Sequence, residues 1–241
     1  MSSSAHETAQ KVFDQQYQSL GLNAQRLYPN EALVQFVGSN YFGIPRPARN
    51  QIKILEVGCG SGANLWMMAK EGFDVHGLDS SAKGLEVAGD HLRDKWGVSA
   101  ELKQGSFLEL PYPDGMFDAV VDVVSLQHLG LEDSLTALRE IRRVLKPQAR
   151  FFCYRLSDRS VMFERATPAE RLDAATLTNI SDSQLPLANN GPIAFWSPAL
   201  ARKMYSEAGL IMKGILRHAR TYADGALVEY LAIEALSPTD G

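Results

Sequence analysis

Three glycines within five residues, Gly58, Gly60 and Gly62, interrupt the chain directly after Ile52-Lys53-Ile54-Leu55-Glu56-Val57. A short β-branched run that ends in glycine reads as a buried strand. Glycine adopts backbone angles that other residues resist and lets another group touch the main chain. Ala63 to Glu71 then reads as a helix ended by Gly72, a residue suited to the left-handed cap. A strand passed to a helix through such a turn belongs to an open parallel sheet, where ligands bind beyond the carboxyl ends of the strands.

The rhythm continues downstream. Asp74 to Leu78 reads as a second strand, and Ser80 or Ser81 caps a helix carrying Leu85, Ala88, Leu92 and Trp96 at helical spacing. Ala100–Lys103 and Phe117–Val124 read as strands three and four. A helix over Leu131, Leu135, Leu138, Ile141 and Leu145, terminated by Pro147, leads into strand five at Arg150–Tyr154. Residues 156–197 break the alternation and read as an insertion over the active site, partly helical from Pro168 to Leu177. A helix over Pro198–Ala208 and two strands, Ile211–Arg220 and Leu227–Leu236, close the pattern, with Asp224-Gly225 as a hairpin turn. Residues 1–50 read as a helical N-terminal cap, so 1–241 is expected to be a single domain. The fold expected is α/β, with three layers and a mostly parallel sheet.

A net charge of -4 argues against a partner bound through a broad basic surface, so no nucleic acid is expected. Cys59 and Cys153, the two cysteines, suit a reducing compartment rather than a disulfide framework. The first seven residues lack the pattern of a secretory signal, and no apolar stretch approaches the ~20 residues of a membrane span. A cytoplasmic protein without membrane contact is the expectation. No histidine pair or Cys–His cluster has metal-ligand spacing, so no metal is expected.

Two readings of the glycine turn compete. Gly58, Gly60 and Ala63 satisfy a relaxed dinucleotide-binding pattern, with Asp79 near the spacing of a ribose-binding acid. Against a nicotinamide enzyme stand Glu56 before the first glycine, Gly62 as the third, and the terminal hairpin. Glu56 to Gly62, followed by Gly77-Leu78-Asp79-Ser80-Ser81, resembles class I S-adenosylmethionine-dependent methyltransferases. The resemblance covers residues 50–155 well and resumes weakly over Phe195–Leu210. It implies a Rossmann-like, doubly wound sheet of seven strands whose last strand runs antiparallel, and S-adenosyl-L-methionine as cofactor.

Carried over by residue, the resemblance puts Gly58, Cys59, Gly60 and Gly62 beneath the methionine part and ribose, and Glu56 beside the amino group. Asp79 would accept from the ribose hydroxyls, with Ser80 beside it. Ser106 stands where the family often has an acid near the adenine, and Phe107 is either a stacking ring or core. Asp122 and Val123 fall on the cofactor-flanking loop. In the cap, Tyr17 is expected at the pocket and Arg26 is a candidate partner of the methionine carboxylate, with a solvated surface arginine the competing reading. His128 is the first candidate general base, against a structural role that histidine often has at this place in the family, and Asp122 is the second. Arg155, Phe163, Arg165, Phe195 and Trp196 are weaker substrate-pocket candidates. The function expected is methyl transfer to an oxygen or nitrogen of a small-molecule acceptor. A non-catalytic cofactor-binding subunit and a protein methyltransferase stay open as alternatives.

Overall fold

The computed structural model describes residues 5–185, 187, 188, 190–222 and 225–239. Its main sheet has seven strands: β1 (Lys53–Val57), β2 (Asp74–Asp79), β3 (Glu101–Gln104), β4 (Phe117–Val123), β5 (Leu145–Leu156), and two late strands, β8 (Ile211–Thr221) and β9 (Leu227–Leu236). Their order is β3-β2-β1-β4-β5-β9-β8. β1 pairs in parallel with β2 on one side and β4 on the other, so the winding reverses between β1 and β4. That reversal opens a crevice at the strands' carboxyl ends. β9 is antiparallel to both neighbours and lies inside the sheet, with β8 at the edge.

Central strands buried on both faces explain the unbroken apolar runs read from the sequence. Alternation along β1 sends Leu55 and Val57 to one core with Phe117 and Phe151, and Ile54 to a second core with Phe152. The first core is covered by α5 (Leu131–Val144) and α7 (Pro198–Glu207), the second by α2 (Glu31–Tyr41) and α3 (Leu65–Lys70). α5 has Glu132 and Asp133 in its first turn and Arg142 and Arg143 in its last, complementing its dipole. α4 (Ala82–Asp90) starts at Ser81, whose hydroxyl accepts from the Gly84 N–H, and runs into a π-helical turn, His91–Trp96, stopped by Gly97.

α1 (Ala5–Leu20) lies against α4: the Ser81 hydroxyl donates to Asp14 at 2.6 Å and the Gln10 amide donates to the Ser80 carbonyl. Among the described residues, no helix is long and apolar enough to cross a membrane.

The structure corrects three local expectations. Strand five begins at Leu145 and runs to Leu156, so Pro147 sits inside it and α5 has already ended at Val144. Residues 156–197 hold a short helix, α6 (Val161–Glu164), and two-residue strands, β6 (Thr176–Leu177) and β7 (Ile193–Ala194). The helix expected over Pro168–Leu177 is only a 3-10 turn at Pro168–Glu170. Asp173 prevents its extension, because its carboxylate accepts from the N–H groups of Ala175 and Thr176 and turns the chain. Of the hairpin signal, Gly225 has φ +83, whereas Asp224 lies outside the described residues.

Candidate functional site

The glycine turn is fastened to β2. Gly58 and Cys59 both donate to the Leu78 carbonyl, at 2.7 and 3.0 Å. Gly58 and Gly60 have φ of +70 and +50. A Cβ on Gly58 would stand 2.2 Å from the Ser125 side chain, and one on Gly60 would stand 2.3 Å from the Tyr17 hydroxyl. Angle and space therefore both require glycine. At the end of β2, Asp79 accepts from the Gly60 N–H at 2.8 Å and the Ser81 N–H at 2.9 Å. Burial raises its carboxyl above the usual range while those backbone donors oppose the rise.

Glu56, at 1% exposure, is held from one side only. Asn64 donates to its Oε1, while Oε2 is buried with no partner. Burial lifts the carboxyl to about 8 against the pull of the Asn64 bond and the Arg26 charge. Asn64 also accepts from the Asn30 N–H at 3.0 Å, which joins the cap to this carboxylate.

Beyond β4 the chain turns through Val124, whose φ of +62 is costly for a β-branched residue. Asp122 stabilises that turn: Oδ1 accepts from the N–H groups of Ser125 and Leu126, and Oδ2 from the Cys153 thiol at 3.0 Å. The Ser125 hydroxyl donates to the Gly58 carbonyl at 2.9 Å and ties this turn to the glycine turn. His128 Nδ1 lies 2.8 Å from the Pro192 carbonyl. A carbonyl only accepts, so Nδ1 carries the proton and Nε2 is an acceptor. Burial, opposed by the Pro192 bond, lowers the His128 pKa to about 4.

These turns and α1 enclose a cleft of about 930 Å³, counted to its open mouth. Of the residues picked from sequence, Tyr17, Arg26, Gly58, Cys59 and Gly60 line it, as do Asp79, Ser80, Phe107, Val123 and His128. Four do not. Gly62 faces Ala88 and Leu92 of the α4 helix and its π-helical turn, Glu56 is buried at the end of β1, and Ser106 lines a smaller depression shared with Gln10, Ser80 and Gln104. Asp122 is 0% exposed with both oxygens engaged, which corrects its reading as a base or cofactor contact.

The weaker substrate-pocket candidates also lie elsewhere. Arg155 is buried with its guanidinium 3.3 Å from the Trp196 ring centre. Phe163 and Phe195 pack in a satellite core, and Arg165 is exposed. The insertion instead reaches the cleft through Leu187 and Asn190. Sequence reading missed Phe13, Ser61, Asn64 and Gln127. Phe13 and Gln127 line the cleft, Phe13 with its ring edge-on to His128 at 4.8 Å. Only Asn64 carried a signal, a polar residue at the start of a helix beside the glycine turn. Among the described residues, no group of three His, Cys, Asp or Glu side chains is placed to hold a metal ion.

Residues 55–153 match the profile of a methyltransferase domain family. The chain is 38% identical over 106 residues to a sterol 24-C-methyltransferase of Gibberella zeae, covering 43% of this chain and 27% of that one. It is 37% identical over 102 residues to a 2-phytyl-1,4-naphtoquinone methyltransferase of Synechococcus elongatus, covering 41% and 43%. The match thus spans less than half of either relative. The fold is shared almost end to end with a structure solved for the conversion of a disulfide bond into a thioacetal group during echinomycin biosynthesis. The TM-score there is 0.70 at 22% identity, covering 96% of this chain and 93% of that one. These matches support a class I S-adenosylmethionine-dependent methyltransferase, with the shared domain spanning residues 55–153.

S-adenosylmethionine is the family's cofactor, and the residues present fit it on two counts. The glycine turn is a cradle that a Cβ would fill. Glu56 Oε2 is a buried acceptor lacking a donor, and Arg26 on the cleft wall has no hydrogen bond or ion pair among the described residues. An ammonium and a carboxylate, the two ends of a methionine group, complement that pair.

Proposed function

We propose that the chain transfers a methyl group from S-adenosylmethionine to an oxygen or nitrogen atom of a small-molecule acceptor. When bound, the cofactor supplies a methyl carbon made electrophilic by its sulfonium. Glu56 receives the amino group, Arg26 the carboxylate and Asp79 the ribose hydroxyls. Gly58 and Gly60 admit close approach of the main chain. Phe107 flanks the adenine, and Tyr17 closes the turn from above.

The observation that carries the oxygen-or-nitrogen reading is His128. Its Nε2 is an acceptor on the wall of the cleft that the glycine turn also lines. A neutral imidazole there orients an acceptor O–H or N–H and takes its proton as the methyl bond forms. Its low pKa makes it a weak base, which favours acceptors whose proton becomes acidic during transfer. Phe13 and Leu187 give the acceptor an apolar wall. The cleft beneath α1 and the small-molecule relatives support a small acceptor over a protein one. The two free, buried cysteines support a reducing, cytoplasmic setting.

The test is calorimetric titration with S-adenosylmethionine, S-adenosylhomocysteine and NAD in parallel, followed by an acceptor screen read by mass spectrometry. Micromolar binding of the first two and a product heavier by one methylene, with the methyl on oxygen or nitrogen, is the expected result. A methyl on carbon, as the name of the sterol relative specifies, would overturn the acceptor-atom assignment alone. Binding without transfer to any acceptor would favour a non-catalytic cofactor-binding subunit.

A further inference from the structure

Three aromatic residues outside the cleft make one contact assembly. Trp66 on α3 and Trp96 at the end of the π-helical turn stack face to face, with centroids 3.8 Å apart and planes 6° apart. Tyr28, 60% exposed, sets its ring edge against both, at 6.3 and 6.2 Å. Each tryptophan also uses its indole N–H, in opposite directions. Trp66 Nε1 donates to the Leu27 carbonyl at 3.2 Å. Trp96 Nε1 donates to His91 Nε2 at 3.1 Å, and His91 Nδ1 lies 2.9 Å from the Ser61 carbonyl. The two bonds are consistent with one tautomer: the Ser61 carbonyl takes the Nδ1 proton and Nε2 accepts from Trp96.

One end of this chain of contacts is the glycine turn, at Ser61. The other is the stretch 25–28 of the cap, where Leu27 follows Arg26. Arg26 itself has no hydrogen-bond or ion-pair partner among the described residues to fix it. A guanidinium recognises a carboxylate well only when its fork is held in place.

We infer that the stacked Trp66–Trp96 pair is a positioning device that fixes Arg26 relative to the glycine turn, and so sets affinity for the amino-acid end of the cofactor. This rests on the proposed binding of S-adenosylmethionine. Trp66 and Tyr28 hold the Leu27 backbone, and Trp96 with His91 anchors the pair to Ser61. Neither tryptophan touches the ligand.

Two ligands separate this role from a merely structural one. S-adenosylhomocysteine carries the amino-acid carboxylate, and methylthioadenosine lacks it. Trp66→Phe keeps the stacked ring and removes the N–H to Leu27. Calorimetry should show it weakening S-adenosylhomocysteine about fivefold and methylthioadenosine less than about twofold. Arg26→Gln should show the same selectivity with a larger loss. Trp66→Phe added to Arg26→Gln should cost nothing further, because it acts through Arg26. Tyr28→Ala, at an exposed position that does not open the core, should give the same selectivity more weakly. Equal losses for both ligands, or additive losses in the double variant, would overturn the inference. Failure of the wild-type protein to bind S-adenosylhomocysteine would instead overturn the cofactor reading beneath it.

Discussion

Glu56 and Asp122 stand near the carboxyl ends of adjacent parallel strands, both buried and both with carboxyls raised by desolvation, yet the structure treats them differently. Asp122 has three donors within its own fold. Glu56 has one, and a second oxygen left without any. A satisfied buried carboxylate staples a turn, whereas an unsatisfied one costs stability until a ligand supplies its donor. Sequence position alone makes the two look equivalent.

The sharpest test removes the staple. Asp122→Ala strands the N–H groups of Ser125 and Leu126, and urea unfolding should show a loss of about 3 kcal/mol. A loss below about 1 kcal/mol would mean that the turn at Val124 holds itself. Asp79→Ala comes next. It removes the acceptor for Gly60 and Ser81 together with the proposed ribose contact, so affinity for S-adenosylhomocysteine should fall about thirtyfold. Unchanged affinity would sink the ribose assignment.

Glu56→Gln should invert the Asp122 result, sparing stability while weakening S-adenosylhomocysteine about tenfold. The pH dependence has a defined sign. The folded carboxyl titrates at about 8 and the unfolded one at an ordinary 4.5. Its contribution to the ligand-free protein is therefore present in full below 4.5 and lost as pH rises toward 8. A bound ammonium favours the ionised form, so binding at neutral pH should release a proton. Binding heats in phosphate and Tris should differ for the wild type and coincide for the variant. Proton release that persists in Glu56→Gln would assign it to another group.

The same contrast explains what the sequence could reveal. Strand and helix positions from residue 52 to 144 were legible because buried parallel strands and amphipathic helices impose their own periods. Gly58, Gly60 and Asp79 were legible because backbone angle and strand end restrict the residue types there. The state of Asp122 was not, since its donors come from a turn held at φ +62 and from Cys153 on the next strand. Arg155 likewise reads as a pocket cation, but strand alternation turns it toward Trp196. The cap and insertion are read worst, because single long-range bonds place them: Asn30 to Asn64, Gln16 to Asn190, His128 to Pro192.

His128 carries the smallest expected effect and tests the chemistry most directly. With its pKa lowered to about 4, it stays neutral across the range where methyl transfer would be assayed, so turnover should show no histidine limb between about pH 5 and 8. The folded pKa lies below the unfolded one, so its stability contribution is lost only as pH falls from 6.5 toward about 4. A base that weak assists mainly by orienting the acceptor proton. His128→Ala should therefore lower turnover about fivefold, well under the roughly hundredfold of a matched general base, and leave affinity for S-adenosylhomocysteine unchanged. A rate limb near pH 6.5 that vanishes in the variant would show that His128 titrates in an open, hydrated cleft. Wild-type turnover in His128→Ala would reduce it to the anchor of Pro192, and the comparison between a staple and a waiting acceptor would then extend to the imidazole as well.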